Sequence, residues 1–185
     1  MLSDSDMSST DDEPTVFWIT GLPGAGKSTL AGQLLALLKQ FDNRPVLMLD
    51  GDELRRVFNA REYTPEARLE LGLTYGRLAD LLSRQGVHVI VATVSLWHKC
   101  HAWNRVNMRS YFEVHLAPNH SILRQRDQKG LYSGAEIGTE RLVPGIDVAI
   151  EEPISPDLTF DASPMESPHK MARKLYDTWK GSSRK

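Results

Sequence analysis

The nine-residue stretch GLPGAGKST, from Gly21 to Thr29, combines glycines, a lysine and hydroxyl groups in an order suited to binding phosphate. Gly21, Gly26, Lys27 and Ser28 complete the pattern G-x-x-x-x-G-K-[ST], between an apolar run and a leucine-rich one. Glycine lets the backbone wrap closely round phosphates, whose charge meets exposed amides at a helix N-terminus. We expect Lys27 to reach the β- and γ-phosphates of a nucleotide and Ser28 to ligate Mg²⁺.

Two carboxylates follow the next apolar run, in the stretch LDGDELR. Asp50 and Asp52 are predicted at the carboxyl end of a strand, the edge where open α/β sheets bind ligands. Positions two apart on a strand face the same side, so we expect Asp50 to hold Mg²⁺ through water and Asp52 to orient or deprotonate an acceptor hydroxyl. The alternative is an acidic turn with Asp52 as a helix N-cap. The phosphate-binding pattern favours catalysis, because phosphoryl transfer requires a metal-holding group and a group that positions the nucleophile.

Switch GTPases begin with the same loop, and DQKG at Asp127 to Gly130 matches their D-x-x-G pattern. That class reads guanine with N-K-x-D, and none of the five asparagines is followed by lysine. A GTPase therefore stays a minor alternative, as does a nucleotide-binding module without catalysis. The intact lysine, serine and aspartates of the two motifs argue against such a module.

Four apolar stretches predict the strands that position these groups. The first three lack polar alternation, which is typical of strands covered on both faces. Between them, apolar residues recur every three or four positions, as in amphipathic helices. We therefore predict an α/β fold in which a parallel sheet is flanked by helices. The strands are predicted at Val16 to Ile19, Val46 to Leu49, Val87 to Val94 and Tyr111 to Leu116, and the helices carry Leu30, Leu34, Leu37, Leu38 and Phe41, then Leu71, Tyr75, Leu78 and Leu82.

The pattern changes between Arg124 and Asp147, where charges and glycines interrupt any long apolar face. We predict a mobile excursion there. Near the end of the chain, Ser167 is a candidate N-cap and Pro168 suits the first position of a helix. A closing helix is therefore predicted.

Length and composition indicate one domain: the chain has 185 residues and a net charge of -2, which gives no general attraction to nucleic acid. The apolar runs are far shorter than the roughly 20 residues of a membrane span, so we expect no membrane partner. The single Cys100 excludes an internal disulfide and favours a reducing, cytoplasmic location. We predict a disordered acidic tail over residues 1–14, a domain over 15–180 and a polar tail over 181–185.

The motifs GLPGAGKST, LDGDELR, RDQKGLY and PGID occur in this order between Val16 and Asp147. Their combination resembles the adenylyl-sulfate kinase family. The phosphate-binding loop is generic, whereas D-G-D-x-x-R with K-G-L-Y is far more specific. The resemblance implies a P-loop kinase fold with a mobile lid, usually a homodimer, which uses ATP and Mg²⁺. Its members phosphorylate the ribose 3′-hydroxyl of adenosine 5′-phosphosulfate (APS, or adenylyl sulfate).

The resemblance also assigns catalytic roles to individual residues. Asp52 falls on the catalytic aspartate of the family, and Lys27 and Lys129 complete the expected catalytic set. Arg126 and Lys129 fall in the lid, predicted from about Arg126 to Arg141, where cations would screen the charge of the transferring phosphoryl group.

Further positions follow from the resemblance for the two nucleotides. Arg55 and Arg68 match arginines that hold the phosphate and sulfate of the acceptor, and Tyr63 matches an aromatic residue that stacks on the acceptor base. The expected ATP-binding residues are Gly21, Gly24, Ala25, Gly26, Lys27, Ser28, Thr29 and Arg126; the expected acceptor-binding residues are Asp52, Arg55, Tyr63, Arg68, Val94, Ser95, Lys129 and Ile146; and the expected metal ligands are Ser28 and Asp50.

Three departures from the family pattern cluster on the acceptor side. Leu71 stands where R-x-x-N has asparagine, Val143 where F-T-G-I-D has a second stacking aromatic, and SLWH where Ser-Pro-Tyr-Arg is expected. Losing one face of an aromatic sandwich removes about 1 to 3 kcal/mol of base stacking. Trp97 or Trp103 would restore it, unless both tryptophans belong to the core and the nearby histidines are solvated.

The altered segment, the AWNR after it and the PGID without a following aspartate and proline are more similar to the branch of the family that includes cytidine diphosphoramidate kinase. We therefore expect an ATP-dependent kinase of the ribose 3′-hydroxyl of a small nucleotide. Adenylyl sulfate is the first candidate acceptor and cytidine diphosphoramidate the alternative. P-loop kinases of other small hydroxyl compounds do not share D-G-D-x-x-R followed by K-G-L-Y.

Overall fold

A computed structural model of the chain describes residues 13–127, 130–136, 142–161 and 166–182. Strands and helices alternate through most of this part of the chain, as predicted. In chain order the elements are β1 (Val16–Gly21), α1 (Lys27–Phe41), β2 (Val46–Asp50), α2 (Gly51–Val57), α3 (Pro65–Ser83), β3 (His88–Ala92), α4 (His98–Asn107), β4 (Tyr111–Leu116), α5 (His120–Arg126), α6 (Leu131–Glu136), β5 (Leu158–Phe160) and α7 (Pro168–Ser182).

The strands form one parallel sheet in the order β2-β3-β1-β4-β5. β1 lies at its centre, and alternate residues of β1 belong to two different cores. Phe17 and Ile19 pack in the core that includes residues of α1 and α7, whereas Val16 and Trp18 pack in the core that includes residues of α2 and α3. The helices therefore cover both faces of the sheet, and the predicted α/β architecture is confirmed.

The predicted strands agree with the structure, with one wrong expectation about their burial. β2 is an edge strand, and Leu47 in its middle is 45% exposed. The prediction that β2 is covered on both faces is therefore wrong. An apolar run alone does not show whether a strand lies at the centre or at the edge of the sheet, where side chains are less covered. β5 was not predicted, since its three residues are too few to form a recognisable pattern.

The closing helix α7 is confirmed, and Ser167 Oγ accepts a hydrogen bond from the backbone N–H of Lys170 at 3.3 Å. The helix continues to Ser182. Most of the predicted acidic tail, residues 1–12, and the last three residues lie outside the described part. Within the described ranges, no helix is long and apolar enough to cross a membrane.

Two glycines let α4 pack directly on α3. A Cβ atom added at Gly76 would lie 2.5 Å from Asn104 Oδ1, and one added at Gly72 would lie 2.8 Å from Cys100 Sγ. Any larger residue would push the helices apart. This close packing fixes the segment between β3 and α4 against α3, which matters for the site described below.

Trp179 anchors α7 to the sheet. Its ring makes an edge contact with Phe17, at 4.9 Å between centroids, and another with His88 at 5.4 Å. The indole N–H donates to Thr15 Oγ1 at 3.2 Å, and the residue is 5% exposed. Thus one side chain joins the last helix to β1, β3 and the segment before β1.

We predict that Trp179→Ala lowers the free energy of unfolding by about 3 to 5 kcal/mol, because it leaves a cavity and removes the hydrogen bond from the indole N–H to the Thr15 hydroxyl. Urea denaturation followed by circular dichroism measures this. Thr178→Ala, on the exposed face of the same turn, is the control and should change the free energy by no more than about 0.5 kcal/mol. Equal losses in both variants would mean that Trp179 does not anchor the helix.

Candidate active site

A cavity of about 410 Å³ opens at the carboxyl ends of β1, β2 and β3. Parallel strands place these ends at one edge of the sheet, where α/β proteins bind ligands. The loop after β1, the start of α2, the first half of α3 and the segment between β3 and α4 all contribute to its walls. Both sequence motifs therefore open into one space.

The loop between β1 and α1 has the geometry of a phosphate-binding loop. Gly26 caps α1 with a φ of 100°, a left-handed conformation that favours glycine. Lys27 Nζ donates hydrogen bonds to the carbonyls of Gly21 at 2.9 Å and Leu22 at 2.8 Å. These bonds hold the ammonium group against the start of the loop, beside the N-terminus of α1.

Most of the predicted ATP-binding residues of the loop face the cavity, but two do not line it. Gly21 is buried against Leu116 of β4. Ala25 is 5% exposed, and its N–H donates to Leu22 O at 3.1 Å within the loop. These two positions shape the loop from beneath. The predicted ATP-binding residues of the loop that do line the cavity are Gly24, Gly26, Lys27, Ser28 and Thr29.

Side chains of α5 and α6 hold the outer side of the loop. Arg126 Nη1 donates to Gly24 O at 3.3 Å, and the Tyr132 hydroxyl donates to Pro23 O at 2.9 Å. Arg126 therefore lies beside the phosphate-binding loop, where the sequence predicts it. Lys129 lies outside the described residues, as do residues 137–141, so the mobility of the predicted lid stays a prediction.

Asp50 joins the loop to α2. Ser28 Oγ donates to Asp50 Oδ2 at 2.5 Å, and Asp50 Oδ1 accepts the N–H of Asp52 at 2.9 Å. Asp50 is thus the N-cap of α2, so the alternative that Asp52 caps this helix is wrong. A hydroxyl and a carboxylate this close are oxygen ligands of the kind that Mg²⁺ binds alongside phosphate oxygens, and they fit the predicted metal site.

The sequence predicts Asp52 at the end of the strand, but the structure places it in the first turn of α2. It is exposed and lines the cavity. The two carboxylates come together because the helix begins at once after the strand, and not because they share a strand face.

Tyr75 of α3 holds the start of α2 in place. Its hydroxyl donates to Gly51 O at 3.2 Å, and its ring stacks on Phe58 at 6.1 Å between centroids. Burial raises the pKa of Tyr75 to about 12, so the hydroxyl keeps its proton as a donor. Helical periodicity predicts Tyr75 as a core residue, but the role of its hydroxyl depends on an element 24 residues away.

Arg55 and Arg68 both contact the ring of Tyr63. Their Cζ atoms lie 4.3 and 5.1 Å from the ring centroid. Arg55 Nη1 donates to Glu62 O at 2.8 Å, and Arg68 Nη2 donates to Leu142 O at 2.7 Å. Burial and the charge of Arg55 lower the pKa of Arg68. Two neighbouring cations favour a bound anion, and all three predicted residues line the cavity. Stacking of Tyr63 on a base stays a prediction.

The acceptor side of the cavity has an apolar wall. Leu71, Val143 and Trp97 line it, whereas Trp103 packs against the core beneath α3. Trp97 is therefore the tryptophan that is positioned to contact a ligand. Ile146 is 44% exposed and does not line the cavity, so the structure does not bring this predicted residue to the site.

The segment between β3 and α4 supplies the polar part of this wall. Val94 and Ser95 line the cavity, as predicted, together with Thr93. Thr20 Oγ1 donates to Val94 O at 2.6 Å. His101, the second histidine of α4, is 6% exposed. The interpretation that the histidines of this stretch are solvated is therefore wrong for His101. In the described part of the chain, no group of three His, Cys, Asp or Glu side chains could hold a metal ion.

The relatives of this chain include kinases that act on nucleotides. Residues 13–161 match the family model of adenylylsulphate kinase. A cytidine diphosphoramidate kinase from Campylobacter jejuni is 34% identical over 142 residues, which are 77% of this chain and 83% of that protein. An adenylyl-sulfate kinase from Pseudomonas aeruginosa is 38% identical over 152 residues, which are 80% of this chain and 76% of that protein.

A solved structure is similar over almost the whole chain. The APS kinase of Mycobacterium tuberculosis in complex with AMPPNP and APS superposes with a TM-score of 0.82 and 30% identity, covering 90% of this chain and 97% of that one. Fold, motifs and relatives agree. The chain belongs to the adenylylsulphate kinase family and is a phosphotransferase that acts on a nucleotide.

Proposed function

We propose that this protein transfers the γ-phosphoryl group of ATP to the ribose 3′-hydroxyl of a small nucleotide, with adenylyl sulfate as the first candidate acceptor. One juxtaposition supports this most directly: the phosphate-binding loop, Asp52 and the Arg55–Arg68 pair share a single cavity. The similarity to an APS kinase in complex with AMPPNP and APS supports the same pair of ligands.

On the donor side, the loop amides and Lys27 would bind the phosphates, and Arg126 would add a charge beside Gly24. Ser28 and Asp50 would hold Mg²⁺, which when bound would neutralise charge on the phosphate oxygens. Hydrogen bonds already fix Lys27 and Arg126 against the loop backbone, so little reorganisation is needed when phosphate arrives.

On the acceptor side, Arg55 and Arg68 would grip the charged group at the 5′ end of the nucleotide. Asp52 would align the 3′-hydroxyl and accept its proton as the oxygen bonds to the γ-phosphorus. The bond from that phosphorus to the bridging oxygen of ADP would break in line with the new bond. Positioning and charge stabilisation would therefore supply most of the catalysis. Lys129 and the remainder of the lid stay part of this proposal, as do the homodimer and the cytoplasmic location.

A second acceptor, cytidine diphosphoramidate, is favoured by one observation. Leu71 and Val143, which depart from the family pattern, both line the acceptor side of the cavity. The Campylobacter relative that acts on this compound matches a similar share of the chain. Both acceptors carry a 3′-hydroxyl, a 5′-phosphate and a further group that arginines can grip.

We predict that Asp52→Asn lowers kcat about 100-fold or more, because the amide cannot accept the hydroxyl proton. The dissociation constant of an ATP analogue, measured by calorimetry, should stay within twofold. Glu53→Gln, one residue away on the exposed side of α2, is the control and should keep wild-type turnover. If Asp52→Asn kept more than a tenth of the wild-type kcat, the assigned role would be withdrawn.

The acceptor is tested by the rate of ADP release from MgATP with APS, with cytidine diphosphoramidate and without acceptor. We expect APS to stimulate release most strongly. A preference for the cytidine compound would transfer the assignment to the second candidate. No stimulation by either compound would reject both acceptors.

We also predict that Trp97→Ala raises the acceptor KM about tenfold, because one stacked base contributes about 1 to 3 kcal/mol. The KM for ATP should not change, and Trp97→Phe should restore most of the acceptor affinity. An unchanged acceptor KM in Trp97→Ala would show that this ring does not contact the base.

A further inference from the structure

We propose that His101 is a positioning residue for acceptor binding, which holds the backbone of Ser95 from behind the cavity wall. His101 does not line the cavity, and the motifs of the resemblance do not include it. This inference rests on the proposed function, because Ser95 is one of the residues proposed to contact the acceptor.

Ser95 is confined from several sides. Its hydroxyl lies 3.0 Å from Thr93 Oγ1, and a Cβ atom at Gly72 of α3 would lie 3.0 Å from the same hydroxyl. The residue is 8% exposed, although it lines the cavity. A small displacement of its backbone would therefore change the only face that Ser95 presents to a ligand.

Three successive carbonyls of this wall each accept a hydrogen bond from a different part of the chain. Thr20 of β1 binds Val94 O at 2.6 Å, and the N–H of Glu151 binds Leu96 O at 3.0 Å. Between them, His101 Nε2 lies 2.8 Å from Ser95 O. Because a carbonyl only accepts, this nitrogen carries the proton. His101 thus forms the middle one of the three hydrogen bonds that hold the backbone of this wall.

The side chain of the buried Glu113 packs against His101. The other ring nitrogen, Nδ1, lies 3.0 Å from Oε1 of Glu113 on β4, and Glu113 is 1% exposed. Burial lowers the pKa of His101 to about 4, and burial raises the pKa of Glu113. Burial therefore keeps the imidazole of His101 neutral, with its proton on Nε2, where it donates to Ser95 O.

The chain of contacts ends on Arg105 and Asp157. Arg105 Nη2 donates to Glu113 Oε2 at 2.9 Å and to Asp157 Oδ2 at 3.1 Å. Asp157 Oδ2 also accepts the backbone N–H of Glu113 at 2.7 Å. The orientation of His101 is therefore set by β4 and by the segment before β5, and among the described residues none of the hydrogen bonds of this network reaches the phosphate-binding loop.

This separation predicts a specific kinetic effect. Loss of the His101 bond would leave Ser95 O without a buried partner and let the acceptor wall shift, whereas the ATP side would keep its contacts. The acceptor KM should rise while the ATP KM stays constant. A general loss of packing would affect both constants or the amount of folded protein.

The test compares His101→Asn with His101→Gln. The longer glutamine can place its amide nitrogen near the former Nε2 and still donate to Ser95 O, whereas asparagine reaches only the former Nδ1 position. We expect His101→Asn to raise the acceptor KM about tenfold or more, and His101→Gln to stay within about threefold of wild type. His169→Asn, on the exposed surface of α7, is the matched control and should leave both constants unchanged.

Glu113 provides a second pair of variants in case His101→Asn does not fold. Glutamine has the shape of glutamate, and its amide oxygen can still accept the hydrogen bond from Arg105. Glu113→Gln should therefore keep a nearly wild-type acceptor KM, and Glu113→Ala should raise it as His101→Asn does. An acceptor KM within twofold of wild type in both Glu113→Ala and His101→Asn overturns the inference, as does an equal rise of the ATP KM.

Dissociation constants of APS and cytidine diphosphoramidate, measured by calorimetry on the same variants, separate this inference from the proposed function. If the wild type binds an acceptor but transfers no phosphoryl group, the proposed function fails. A weaker binding of that acceptor by His101→Asn, with His101→Gln unchanged, would then still support the positioning role. If the wild type binds neither compound, both the function and the positioning role are rejected.

Discussion

The parallel pairing of β3 with β1 and β2 brings the main segments of the candidate site to one place. Parallel strands run in one direction, so the segments that leave β1, β2 and β3 all emerge at one edge of the sheet. The phosphate-binding loop, the start of α2 and the acceptor wall are such segments. The hydrogen bond from Ser28 to Asp50 then joins the first two directly. The direction of the strands therefore places these segments round one cavity, whatever side chains they carry.

Backbone carbonyls organise the cations of this site. Lys27, Arg55, Arg68 and Arg126 each donate to carbonyl oxygens of a neighbouring turn or loop. These neutral partners orient the side chains without cancelling their charge, so the cavity keeps a field that favours anions. Such an arrangement suits phosphoryl transfer, because a cation that is already oriented loses little entropy when the phosphate binds.

The acceptor wall shows how distant parts of the chain cooperate at one surface. Tyr75 supports the helix that carries Asp52, and the network from Asp157 to His101 supports Ser95. Tyr75 itself lines the cavity, whereas the His101 network lies behind it, and both contain buried groups whose pKa values are shifted by burial. The family pattern changes at Leu71 and Val143, which line the cavity, while the supporting groups lie outside the family motifs.

The sequence by itself determined the phosphate-binding loop, the alternation of strands and helices, and the family, because these depend on residues that are neighbours in the chain. Local periodicity also identified Tyr75 and the closing helix. Only the tertiary structure decided that β2 is an edge strand, that Asp50 rather than Asp52 caps α2, and that Trp97 rather than Trp103 lines the cavity. The same holds for the contact between His101 and Glu113, and for that between Arg105 and Asp157, 52 residues apart. Such contacts depend on which elements the fold brings together, and the burial that shifts the pKa values of His101 and Glu113 arises only when the whole chain packs.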